Sequence, residues 1–67
     1  MKVTIQELDF IKTNAPRNLA ALISETLGVT RNKVHYELKS VKGDYDAEII
    51  NEAFRLIKAI KGVEFKA

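Results

Sequence analysis

The chain has 67 residues, of which 46% are hydrophobic and 30% charged, with eleven basic against nine acidic residues for a net charge of +2. That length excludes an enzyme with separate cofactor and substrate domains and predicts a single domain, residues 1–67, around one small core. Gly 3 and Pro 1 exclude a collagen-like or low-complexity chain, and no apolar run approaches the roughly 20 residues that span a bilayer.

The spacing of apolar residues predicts an all-α fold, a small four-helix domain with helices over about 4–13, 16–27, 30–40 and 46–61. Thr4-Ile5-Gln6-Glu7 reads as a capping box, with Val3 and Leu8 at the staple positions around it. Either Ile5 and Leu8 or Leu8 and Ile11 set the apolar face of this first helix, and Ala15, just before Pro16, marks its boundary. Pro16 is expected to open the second helix, where its missing amide costs nothing. Leu19, Leu22, Ile23, Thr26 and Leu27 form that helix's stripe, and Gly28 stops it.

Thr30 caps the third helix, whose inner edge is Val34, Leu38 and Val41. Lys42-Gly43-Asp44 reads as a loop, and Asp46 or Asp44 as the cap of the fourth helix, with Tyr45 and Ile50 as its staple. Ile49, Ile50, Ala53, Phe54, Ile57 and Ile60 give that helix a wide apolar face, and Gly62 ends it. Arg55, Lys58 and Lys61 complement its dipole. Val63 to Lys66 and Lys2 to Ile5 alternate in the manner of strands, although the helical pattern dominates.

Several chemistries lack their residues. Without cysteine there is neither a disulfide framework nor a thiolate zinc site, which fits a reducing, cytoplasmic setting, and His35 alone cannot build an imidazole metal site. Met1 to Glu7 lack the apolar centre of a secretion signal. Ser24 and Ser40 are the only serines, and neither stands in a nucleophile elbow; no Gly-rich phosphate loop occurs. Asp44 and Asp46 read as caps rather than calcium ligands. The expectation is therefore a protein that is not an enzyme, with no cofactor, no membrane span and no pocket for a small-molecule effector.

The charge is unevenly distributed. From Val29 to Gly43 there are four bases, Arg31, Lys33, Lys39 and Lys42, against one acid, Glu37, or +3. The rest of the chain has seven bases against eight acids, or −1, so this window supplies all the positive excess. It follows a Gly-containing three-residue turn between two short amphipathic segments, the physical description of a helix-turn-helix. Ser24 is small where two helices cross closely, and Ile23, Leu27, Val29 and Val34 are spaced to share a core.

Leu27-Gly28-Val29-Thr30-Arg31-Asn32-Lys33-Val34-His35-Tyr36-Glu37-Leu38-Lys39 resembles the turn and recognition helix of bacterial helix-turn-helix DNA-binding domains. Similar segments occur in transposase and phage-type regulators and in lac-repressor-like regulators. The resemblance covers about 21 residues well and about 40 loosely. It departs at Glu37, where the family often buries an apolar residue; Leu38, four after Val34, is expected to take that part. The spacing of the first helix also differs from the lac-repressor-like pattern.

The resemblance implies a third helix seated in the major groove of double-stranded DNA and a role in transcription regulation. Thr30, Arg31, Asn32, His35 and Tyr36 would face base edges, Arg31 suiting guanine and Asn32 adenine. Lys33, Lys39 and Lys42, with Arg17 and Asn18 in the first turn of the second helix, would hold phosphates. One such domain makes few contacts for operator-level affinity, so a homodimer or a larger assembly is expected. The competing expectation is a protein-interaction adaptor using the apolar face of the last helix, with Phe54, Ile57 or Phe65 exposed. Each polar residue also has a plainer reading as part of a solvated face, with Tyr36 packed on the fourth helix.

Overall fold

Helix-starting residues do here what their chemistry allows. In a computed structural model, which describes residues 2–39 and 43–66, the Thr4 hydroxyl accepts the Glu7 amide at 3.1 Å and the Glu7 carboxylate accepts the Thr4 amide at 3.1 Å. This reciprocal pair opens α1, Ile5–Asn14. Leu8 and Ile11 turn inward with Val3 packed against them, whereas Ile5 stays 69% exposed, so the second of the two candidate stripes is the buried one. Ala15 is extended ahead of Pro16, and the Asn14 side chain donates to the Phe10 carbonyl at 3.0 Å.

The second helix begins later than expected. Pro16 does not open it; its carbonyl accepts the Leu19 amide at 3.1 Å and closes a turn, with Asn18 at φ −104, ψ 22. Helix α2 is Leu19–Leu27, burying Leu19 and Ile23, half-burying Leu22 and Leu27, and leaving Thr26 in solvent. Gly28 ends it in the left-handed region, at φ 68, and its amide reaches the Ser24 carbonyl at 2.9 Å. Helix α3 follows as Arg31–Lys39.

Helix α4 is Ala47–Lys61, capped by Asp46, whose carboxylate accepts the Glu48 amide at 3.0 Å. Tyr45 and Ile50 are both buried, as their staple spacing predicts. The helix buries Ile49, Ile50, Ala53, Leu56 and Ile57. Leu56 joins the core in place of Ile60, which is 49% exposed one residue before the helix ends. The described tail is not a strand. It folds back so that Phe65 meets Phe10 edge-on at 5.6 Å, while Phe10 stacks with Phe54 at 5.9 Å.

The domain is all-α, with four helices and no strand among the described residues. Helices α1 and α2 each pack on both α3 and α4 but not on each other, and α3 also meets α4. Ile11, Ile23, Val34, Ile49, Ile50 and Ile57 meet at the centre, each less than 2% exposed. The body is flattened, 30 × 28 × 16 Å by its Cα atoms. Among the described residues no helix is long and apolar enough to cross a membrane.

Two expected outcomes follow from this packing. Gly28→Ala meets no atom within 4 Å but forces an L side chain to φ +68, so it destabilises by roughly 1–2 kcal/mol in urea unfolding. On α4, the hydrogen-bonded Arg55 guanidinium, at 2.7 Å and 2.5 Å, holds the Glu52 carboxyl below its ordinary value of 4.5. A lowered folded value stabilises the fold above the ordinary value and is lost as pH falls through the folded one. Stability measured from neutral pH to about pH 3 should therefore fall less steeply in Glu52→Gln than in the parent.

Candidate nucleic-acid interface

The corner between α2 and α3 is tied from both sides. The Ser24 hydroxyl donates to the Val29 carbonyl at 2.5 Å, and the Gly28 amide donates to the Ser24 carbonyl. Ser24 thus holds the turn through a hydrogen bond, a role beyond the small size that its position suggests. The Thr30 hydroxyl then accepts the Lys33 amide at 3.1 Å, so Thr30 caps α3 as its position predicts. Val29 and Leu27 are half-buried against the core that Ile23 and Val34 complete.

Three residues of α3 face inward: Val34, Leu38 and Glu37. Leu38 therefore does not replace Glu37 on the buried side, as expected from sequence; both are buried, Glu37 at 5% exposure. The reason lies across the loop, where the Glu37 carboxylate accepts the Asp46 amide at 2.7 Å. A buried carboxylate is costly unless hydrogen-bonded, and the residue capping α4 supplies the donor.

This burial changes the electrostatics of the outer side. The exposed residues of α3 are Arg31, Asn32, Lys33, His35, Tyr36 and Lys39, without an acid among them. Arg31, His35 and Lys39 recur every four residues and so share one ridge; Asn32 and Tyr36 lie beside it. Tyr36 is 58% exposed, so its ring is not buried on α4. Lys33 approaches the Asp46 carboxylate at 3.7 Å, leaving it partly neutralised at the edge of the face.

The other sequence candidates fall as follows. Arg17 and Asn18 are exposed in the turn before α2, and Asn18 makes no side-chain cap bond. The Thr30 hydroxyl oxygen accepts the capping bond from the Lys33 amide. Lys42 lies outside the described residues, as do Ser40 and Val41. The fold also recruits Lys12, which the sequence reading overlooked. Lys12, Arg17, His35 and Lys39 line one groove of about 530 Å³, with Ala15, Leu19, Ala20 and Leu38 completing it. No local pattern marks Lys12 in the sequence; only the packing of α1 on α3 brings it there.

Among the described residues no group of three His, Asp or Glu side chains could hold a metal ion. No protein-family model, characterised protein or solved structure matches the chain.

Glu37 is the residue to test. Glu37→Ala removes the acceptor of a buried amide and should cost about 1–3 kcal/mol in urea unfolding, whereas Glu37→Gln keeps a carbonyl acceptor and should lose less. The Asp46 amide resonance should shift strongly in the alanine variant and weakly in the glutamine variant.

Proposed function

We propose that this protein binds double-stranded DNA through a helix-turn-helix formed by α2, the Gly28-Val29-Thr30 turn and α3, and that it acts in transcription regulation. One observation carries the reading. The acid within the basic window is turned inward, so the solvent side of α3 has bases and hydrogen-bond donors and no acid.

In this reading α3 enters the major groove. Arg31 suits the paired acceptors of guanine, and Asn32 the acceptor–donor pair of adenine. His35 and Tyr36 reach a base edge or a thymine methyl one turn further on. Thr30 accepts the Lys33 amide as a cap and still has its O–H to donate to a base edge, as well as its methyl. Lys39, Arg17 and Asn18 meet phosphates, with Lys42 in the following loop; Lys33 joins them by exchanging Asp46 for a phosphate.

A single domain of this size makes few base contacts, so the reading includes a second copy on a palindromic site. Ile60 and Val63, exposed by 49% and 37% at the end of α4, are the apolar surface that supports it. The adaptor reading finds less support. Ile57 is fully buried, and Phe54 and Phe65 are half-buried against each other and Phe10.

Duplex affinity should fall with salt at a slope of about −0.9 per neutralised phosphate. Arg31→Ala should relax preference at one base pair at a cost of about 1–3 kcal/mol, while Lys39→Ala weakens all duplexes alike. A flat salt response in fluorescence anisotropy, or identical behaviour of the two variants, overturns the reading.

A further inference from the structure

The groove beside α3 has features that a phosphate backbone does not need. Its floor and walls are apolar: Leu19 and Leu38 are buried at the base, and Ala15 and Ala20 are half-buried. Its rim is cationic, with Lys12, Arg17 and Lys39, and His35 beside them. No acid lines it. Three cations outside the groove are paired, Lys33 with Asp46, Arg55 with Glu52 and Lys58 with Glu64. Among the described residues, the four basic groups of the groove make no ion pair or side-chain hydrogen bond.

The start of α2 adds to this imbalance. Ala20 lies in the first turn of α2, where Asn18 provides no side-chain cap and no acidic residue is present. By contrast, α1 and α4 each carry a side-chain cap and a first-turn acid. A negative group placed here meets the positive end of the helix as well as the rim. The volume of about 530 Å³ is that of a small-ligand cleft.

We infer that this groove between the end of α1, the start of α2 and α3 binds a small amphipathic carboxylate, with its apolar body over Ala15, Ala20, Leu19 and Leu38 and its anion held by Lys12, Arg17 and Lys39. The two alanines create the room, and the three unpaired cations select the charge. Such a ligand also engages the side of α3 that presents His35 and Lys39. Its binding therefore competes with DNA, a second consequence that rests on the duplex reading above.

The probe is decanoate, titrated below its micelle concentration into the free protein and followed by amide chemical shifts. Shifts should concentrate at Lys12, Ala15, Arg17 to Ala20, His35, Leu38 and Lys39. Decyltrimethylammonium and acetate should each bind far more weakly, since one has the wrong charge and the other lacks the apolar body. Lys12→Glu should weaken decanoate roughly tenfold. Ala20→Leu should block it by filling the groove, and circular dichroism should show both variants as helical as the parent.

Equal binding of the cationic amphiphile, shifts centred instead on Ile5, Ile60 or Val63, or decanoate binding unchanged in both variants would overturn the assignment. A phosphate site alone would respond to inorganic phosphate as strongly as to decanoate, and that result also overturns it. Release of labelled duplex by decanoate is then read separately. If decanoate binds the groove and duplex never binds, the DNA reading fails and the carboxylate site stands. If duplex binds and decanoate does not, the reverse holds.

Discussion

Everything proposed for this domain depends on the rotation of α3 about its own axis. A nine-residue helix is too short to persist alone in water, so its tertiary contacts decide both that it forms and which way it faces. Val34 and Leu38 supply the apolar part of that decision and Glu37 the polar part. Apolar contacts tolerate some sliding. A hydrogen bond of 2.7 Å to a particular backbone amide tolerates much less, so the Glu37–Asp46 contact fixes the rotation more closely than two aliphatic side chains can.

Asp46 is consequently busy with both its amide and its side chain. Its amide donates to Glu37, one carboxylate oxygen accepts the Glu48 amide to cap α4, and the other lies 3.7 Å from Lys33. The start of α4 and one edge of α3 are thus linked through a single residue. At the other end of α3, the Ser24 and Thr30 bonds set where the helix begins. A helix held at its start, its inner face and its edge presents the exposed side chains of Arg31, Asn32, His35 and Lys39 without the helix itself rearranging. Such preorganisation lowers the ordering cost of binding.

Much of this was legible in the sequence where the signal is local. The Thr4 capping box, the Gly28 stop and the Thr30 cap each involve residues within five positions of one another, and each is present; Tyr45 and Ile50, at staple spacing, are both buried. Contacts between distant segments were not legible. The choice of Leu8 and Ile11 over Ile5 depends on where α3 and α4 lie, and so does the exchange of Ile60 for Leu56. Pro16 is compatible with a helix start and with a turn, and the carbonyl bond to Leu19 chose the turn. Glu37 was the hardest: its partner is a backbone amide nine residues away, and an acid beside three bases reads as surface charge.

The same burial links the two functional readings. A short basic segment on a nearly neutral chain is weak evidence of any partner, because interspersed acids normally neutralise such a face locally. Here the neutralising acid has been withdrawn into the α3–α4 contact, and the charge that remains spreads from Arg31 toward Lys39, Lys12 and Arg17. One part of this cationic surface is the exposed ridge of α3, the part that the proposed duplex reading uses. The other is a concavity with an alanine-walled apolar floor, whose shape suits a carboxylate carrying an apolar body. His35 and Lys39 belong to both, so under the two proposals occupancy of the concavity and engagement of the ridge would draw on the same two side chains and compete.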